Sequence, residues 1–319
     1  MVRPVLRATI LVTFTVFGVS CAQPVRHTKT SPASVEKIGE LWELPADIES
    51  RDLFHGPGGA DIVPKADVPH IWVATDATGY SPGFDVRGPD GRSWSVKLGP
   101  EAQSEVVASR VLWAIGYHQP PTYHVSGWHL AGGPGGRQPE ARFRADFDDA
   151  RVIGDWSWSD NAFIGTRPYH GLIAVNVLLN NWDWKPSNNK IYRHASGRHR
   201  YVVRDLGASL GKTSPSRLLG LIPLRGFGQG SRNDIEGFES QGFVKRVDES
   251  DLDFDFHTIY GSVVDLVGPS DVRWTAELLS KLTDAQWDDA FRAANYTGEV
   301  RGRYIRKIKA KIAEGLAVS

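Results

Sequence analysis

With 319 residues, 41% of them hydrophobic and 23% charged, the sequence has the make-up of a globular chain of about two domains or lobes. That excludes a disordered chain, a collagen repeat and a long coiled coil. Lys plus Arg and Asp plus Glu each number 37, so no charge excess asks for a nucleic-acid partner. The single cysteine, Cys21, excludes an intrachain disulfide and any zinc site built from several cysteines.

Arg3 and Arg7 precede an uncharged run from Ala8 to Val19, and small residues follow in Ser20-Cys21-Ala22. A basic segment, an apolar stretch too short to span a bilayer and a small-residue cleavage region make residues 1–22 an expected secretory signal. Two cuts fit. Gly18-Val19-Ser20-Cys21 resembles a bacterial lipobox, with Gly18 where a leucine is usual, and would place a lipid on Cys21; the rival cut follows Ala22. The lipid reading is carried forward, because the only cysteine stands where that modification needs it and a Pro/Ser/Thr-containing tether follows from Gln23 to Ser34. The expectation is an exported chain, periplasmic or extracellular, held at a membrane through Cys21, with residues 23–66 as tether and extension. Loss of Arg3 and Arg7 leaves it mildly acidic.

From Pro69 onward short β-rich runs alternate with turn residues. His70–Thr75, Gly83–Val86 and Arg92–Leu98 read as strands, the last two joined by the hairpin residues Gly88-Pro89-Asp90-Gly91. Glu101–Ile115 contains no Gly or Pro and reads as a helix ended by Gly116 and Pro120-Pro121. Thr122–Leu130 and Ala141–Phe147 are two further strands flanking a glycine-rich loop. Residues 67–150 thus form an antiparallel sheet with one helix. The second half, 151–319, opens with Leu172–Leu179, apolar except for Asn176 and so a helix buried all round. Lys190–Arg193 and Arg200–Arg204 form a hairpin. The stretch from there to Ser250 has no clear period. Two helices end the chain: Thr283-Asp284-Ala285-Gln286 is a capping box, and Val300, Tyr304, Ile308 and Ile312 repeat every four residues. The expected fold class is α+β, a two-lobed arrangement with a mainly helical second lobe.

The chemistry concentrates between Asp183 and Gly207. Asp183-Trp-Lys185-Pro-Ser-Asn188 precedes the hairpin, and Asp205-Leu-Gly207 closes it. A phosphoryl donor brings several negative charges, and a hard cation that neutralises them wants oxygen ligands, here the Asp205 carboxylate and the Asn188 amide. Asp183 can take the proton of an attacking hydroxyl, and Lys185 can offset charge on the group in transit. A glycine after Asp-x lets the backbone turn sharply beside the metal. Asp-x-Lys-x-x-Asn alone arises by chance in about four chains of this length per hundred, and adding Asp-x-Gly at the end of a β-run lowers that about twentyfold.

In this order the residues resemble the protein-kinase-like superfamily, over a stretch from about His70 to Gly207. Glu105–Pro121, ending Gly-Tyr-His-Gln-Pro-Pro, is similar to its atypical branches: the phosphatidylinositol-kinase-like, HipA-like and secretory or spore-coat kinases. The resemblance implies a two-lobed kinase-like fold, ATP with Mg²⁺ or Mn²⁺ as cofactors, Lys97 on the third strand holding donor phosphates, and a helix glutamate holding Lys97. Glu101 and Glu105 compete for that role, and Glu105 is preferred because it shares a helix face with Ala108, Ser109 and Leu112. Gly79, Ser81 and Gly83, in the turn between the first two strands, could cover phosphates through backbone N–H groups. Three departures stand out. Asn181-Trp182 replaces the usual His-Arg, the Lys97-to-Glu105 spacing is short, and no Ala-Pro-Glu follows Gly207.

The implied partners are a nucleotide and a hydroxyl acceptor on a protein, lipid or glycan. A catalytically silent envelope module and a nucleotidyltransferase are the rival functions. Of Trp182 and Trp184, one should pack inward and one face a ligand; His118, His124 and His129 lack metal-ligand spacing, and the basic stripe Arg301–Lys311 reads as a solvated face.

Overall fold

The structure, a computed structural model, describes residues 35–77, 80–218, 222–248 and 251–318. Cys21, the whole 1–22 segment and Gly79 lie outside the described residues. No helix of the described residues is long and apolar enough to cross a membrane.

A short helix α1 (Val35–Ile38) leads through an extended segment into seven strands: β1 (His70–Asp76), β2 (Gly83–Arg87), β3 (Ser93–Leu98), β4 (Thr122–Val125), β5 (Trp128–Ala131), β6 (Gly136–Gln138) and β7 (Ala141–Arg144). They form one sheet in the order β4-β7-β3-β2-β1-β5-β6, with helix α2 (Glu101–Ala114) between β3 and β4. Its pairings are antiparallel except β1 with β5. The sequence suggested five strands here. The run Thr122–Leu130 breaks at Ser126-Gly127 into β4 and β5, and the glycine-rich loop holds β6, too short and polar to show a period.

Strand alternation decides where this sheet buries its apolar side chains. Phe84, Val86, Trp94, Val96, Tyr123, Val125, Leu130 and Phe143 pack with Trp128 into one core on one face. Their in-between neighbours Gly83, Asp85, Ser95, Lys97, Arg142 and Arg144 look the other way, towards the second half. Helix α2 lies on that side and is buried nearly all round: Val106, Val107, Val111 and Leu112 join the larger core of the second half, while Glu101, Ser104 and Glu105 face the sheet and the loop after it. Gly116, at φ 105°, ends the helix where the backbone carbonyl of Glu43 leaves no room for a Cβ.

The second half contains β8 (Ala150–Asp155), α3 (Arg167–Leu178), β9 (Asn189–His194) and β10 (His199–Val203), the three strands forming a small sheet. Two hairpins, β11 (Thr213–Leu218) with β12 (Ile222–Gly230) and β13 (Val244–Asp248) with β14 (Asp251–Phe254), occupy the stretch without a period, separated by α4 (Ile235–Ser240). Helices α5 (Gly261–Val264), α6 (Pro269–Leu279), α7 (Asp284–Ala293) and α8 (Gly298–Ala317) close the chain. The α+β architecture is thus an antiparallel-rich sheet with one helix, followed by a mainly helical half. The capping box is present: Gln286 N–H donates to Thr283 Oγ1 at 3.2 Å, and Thr283 N–H donates to Gln286 Oε1 at 3.0 Å.

Two features differ from expectation. The extension is no loose tether from residue 41 onward, since Leu41, Ile48 and Leu53 are buried in the larger core. On α8, Arg301 pairs with Asp288, Arg303 with Glu236 and Glu239, and Lys309 with Asp284, while Lys311 is buried. Arg301, Arg303 and Lys309 thus meet intramolecular partners and Lys311 is turned inward, while Arg306 stays exposed on the solvated face.

Candidate active site

The end of α3 sets the geometry of the loop that follows. Asn180 takes a left-handed conformation, φ 54°, which asparagine tolerates because its short amide can bond locally. Its side chain donates to Gly211 O at 2.7 Å and accepts from Lys311 Nζ at 2.9 Å. Asn176, the polar interruption in the apolar helix, accepts from Asn181 Nδ2 at 2.8 Å. Trp184 is buried, its ring stacked on Trp158 with centroids 4.6 Å apart. Trp182 is half-buried, its indole N–H donating to Ser231 O at 3.0 Å. Between these anchors Asp183 reaches a cleft of about 660 Å³ lying between the charged face of the sheet and the second half.

The hairpin β9–β10 returns the chain to that loop. Asn188 O accepts the backbone N–H groups of Arg204 at 2.9 Å and Asp205 at 3.0 Å, so these two segments are clamped together despite the residues between them. Asn188 Nδ2 donates to Asp183 O at 2.6 Å, which leaves its amide oxygen for a ligand. Lys185 Nζ lies 3.1 Å from Asp183 Oδ2, and 60% of its side chain is exposed. Gly207 serves proximity rather than a sharp turn: a Cβ there would lie 2.7 Å from Glu101 Cβ, and Gly207 O accepts from Ser104 Oγ at 2.8 Å.

Lys97, from β3, meets three carboxylates: Asp205 Oδ1 at 2.7 Å, Glu105 Oε2 at 3.1 Å and Glu101 Oε2 at 3.3 Å. Both glutamates that competed in the sequence therefore touch the lysine, and they differ in their other partners. Glu105, 1% exposed, also takes Arg144 Nη1 at 2.6 Å and Arg142 Nε at 2.9 Å. Glu101 takes Ser81 Oγ at 2.9 Å and Arg232 Nε at 2.9 Å. The Arg232 guanidinium sits 3.8 Å from the Tyr80 ring and 4.9 Å from the Trp182 ring, joining the turn after β1 to the loop after α3. Gly83 lines the same cleft.

Charge is distributed unequally. Burial alone would push Glu105 up, but Arg142, Lys97 and Arg144 outweigh it and hold the carboxyl below its ordinary value. Asp205 follows the same balance, with Lys97 and then Arg144 holding it well below the carboxylate range. Lys97 would be lowered by its own burial, yet Glu105 and Asp205 raise it. Arg142 is pulled down to about 10 by burial and by Arg144 beside it. At neutral pH the cluster is an assembly of ions. Arg142, Arg144 and Arg232 escaped the sequence reading because cross-strand register and loop return decide their place, although the alternation in Ala141-Arg-Phe-Arg144 put both β7 arginines on one face.

A second cavity, of about 570 Å³, lies on residues that include Arg51, Trp113, His118, His194, Arg198 and Arg200. Its cations already have partners: Arg198 with Glu43 at 3.1 Å and Arg200 with Asp149 at 2.7 Å. Among the described residues no cluster of three or more His, Cys, Asp or Glu side chains is placed to hold a metal ion. A cation between Asn188 and Asp205 would therefore need oxygens from its ligand, as Mg²⁺ does at phosphate sites.

No protein-family model matches this chain, and no curated protein matches it. A solved structure of a Helicobacter pylori proinflammatory kinase, CtkA, aligns with a TM-score of 0.44 at 9% identity, over 77% of this chain and 92% of that one. A likeness of that degree adds no argument to the geometry.

Proposed function

We propose that this cleft performs phosphoryl transfer, dependent on a divalent cation, from a polyphosphate-bearing donor to a hydroxyl acceptor, in the manner of the protein-kinase-like superfamily. One observation carries it: Lys97 bridges Glu105 and Asp205, while Asn188 clamps the backbone at Asp205, so the phosphate-binding cation and the metal-ligand set converge on one cleft. The donor set fits the metal. Asp205 and Asn188 offer hard oxygens suited to Mg²⁺ or Mn²⁺, which when bound would neutralise charge on the donor phosphates.

The chain's own residues would do the rest. Lys97 holds the non-transferred phosphates, Glu105 fixes Lys97, and the backbone around Ser81 and Gly83 covers the chain. Asp183 accepts the acceptor's hydroxyl proton as the new O–P bond forms. The bridging P–O bond breaks with its electron pair leaving on the shortened donor, and Lys185 offsets charge on the group between them.

The test is incubation with ATP and Mg²⁺ or Mn²⁺ and analysis of the products. ADP formation that falls about 10²–10⁴-fold in Asp183→Asn supports the reading. AMP with pyrophosphate would replace it by nucleotidyl transfer. A second reading, a silent binding module, has its own support: Lys97 occupies Asp205 directly at 2.7 Å, where a metal would have to compete. Metal-independent ligand binding that is unchanged in Asp205→Ala would select it. We extend the proposal to export and lipid attachment at Cys21, which support a role at the cell envelope; a soluble Cys21→Ser variant against a membrane-bound parent would bear it out, and equal partition would remove it.

A further inference from the structure

The cleft has a phosphate end and another end, and the second is as charged as the first. Backbone register fixes this: Gly83 and Asp85 of β2 face Lys97 and Ser95 of β3, which face Arg142 and Arg144 of β7. Arg204 and Lys190 line the same space from the second half. Among the described residues the only large apolar ones bordering it are Val96, whose side chain is buried in the core on the sheet's other face, and Tyr80, already stacked on Arg232. A purine ring buries two apolar faces and wants aliphatic or aromatic walls. A guanidinium can stack on one of those faces, but the rest of the ring would strip water from charged groups without replacing it.

Among the described residues seven cationic side chains and five carboxylates line the cleft. Arg142 and Arg144 share the carboxylate of Glu105 with Lys97, which also reaches Glu101 and Asp205, and the buried Nε groups of Arg144 and Arg204 have no hydrogen-bond partner among the described residues. Among the described residues Arg204 pairs with Asp146 alone, at 3.7 Å, while Lys190 has Asp155 at 2.5 Å. The opposing charges are Asp76, Asp85, Glu101, Asp183 and Asp205, of which Asp85 stands exposed on β2.

We propose that the ligand of this cleft is anionic along its whole length, an inorganic polyphosphate chain of three or more phosphates whose far end is held by Arg144 and Arg204, rather than a nucleoside triphosphate. The inference rests on the phosphoryl-transfer reading of the same site and names its donor. With tripolyphosphate the acceptor oxygen bonds to the terminal phosphorus and the P–O–P bridge breaks. Pyrophosphate departs with the electron pair, and the hydroxyl proton goes to Asp183.

The experiment is calorimetric titration of the full chain with tripolyphosphate, ATP, adenosine and sulfate at matched ionic strength, with and without Mn²⁺. Tripolyphosphate should bind at least about tenfold tighter than ATP in the presence of metal, with adenosine and sulfate silent. Arg144→Leu and Arg204→Gln should each weaken tripolyphosphate about ten- to a hundredfold, the range for losing a charged hydrogen bond, and weaken ATP less. Lys190→Ala, on a partly exposed side chain, repeats the test should Arg144→Leu not fold. ATP binding tighter than tripolyphosphate with metal, or adenosine binding at all, overturns this inference and leaves phosphoryl transfer standing. Metal-dependent binding of neither phosphate compound overturns both. Tripolyphosphate binding that is indifferent to Arg204→Gln and Lys190→Ala, and matched by sulfate, marks unspecific anion attraction and also overturns it.

Discussion

Two cavities of similar volume hold charge in opposite ways. In the one beneath the sheet, Lys97, Arg142 and Arg144 converge on the buried carboxylate of Glu105, and Lys97 reaches Glu101 and Asp205 as well. In the one lined by His118 and His194, Arg198 meets Glu43 and Arg200 meets Asp149 nearer the surface, Arg198 and Glu43 being 58% and 57% exposed. Size and concavity do not tell these apart; sharing and burial do. Exposed pairs are screened and contribute little, whereas a buried ion depends on every partner it keeps.

The contrast can be broken at its strongest point first. Glu105→Ala leaves Lys97, Arg142 and Arg144 without their common carboxylate in a buried place, and should cost about 3–5 kcal/mol in denaturant unfolding. A loss below about 1 kcal/mol would mean that water reaches the cluster. Lys311 comes next. Burial, and then Lys307, pull this lysine down to about 7, so between pH 7 and its ordinary 10.5 the unfolded chain binds the extra proton. Stability should therefore climb by about 2 kcal/mol from pH 7 to 9, and Lys311→Met should flatten the climb. An unchanged slope refutes the assignment.

Asp205 sharpens the comparison on the acid side. Its carboxyl is held below the ordinary 3.8, so its contribution is present above that pH and disappears as pH falls further. About a third of the side chain is exposed, and solvent screening makes the effect smaller than those above. Asp205→Asn should raise the relative stability retained at low pH; an identical acid limb would show that Lys97 does not hold it. Smallest of all, Arg198→Ala should change stability by less than about 0.5 kcal/mol, measured by the same unfolding. A larger loss would mean that the second cavity is also a buried network.

What the sequence showed of this molecule was what short periods and local chemistry can show. The alternation of β2 and β3, the uninterrupted run of α2 and the Thr283–Gln286 capping box are local facts, and the elements form where those facts place them. Asp183, Asn188 and Asp205 were legible as a set because one hairpin separates them. The hairpins β11–β12 and β13–β14 were not, lying in a Gly/Ser/Pro-containing stretch with no clear period, and α6 was hidden behind Gly268-Pro269, which reads as a break but serves as a helix start. Arg232 lies on a loop that returns to the cleft only in three dimensions. Glu101 was passed over because Glu105 shares a helix face with Ala108, Ser109 and Leu112; no local signal tells that Arg232 would reach Glu101.

The segment before β1 is tied at several places. Gln286 Nε2 on α7 donates to Ile48 O at 2.8 Å and Arg51 O at 2.9 Å, Arg51 donates to Trp113 O at the end of α2, and Tyr123 on β4 donates to Gly59 O at 2.8 Å. A single stretch of backbone is thereby stitched to the terminal helices, to α2 and to the sheet. Any rocking of the sheet over the helices must carry this cord along or tear its stitches, which confines the mouth of the cleft to a narrow range of widths.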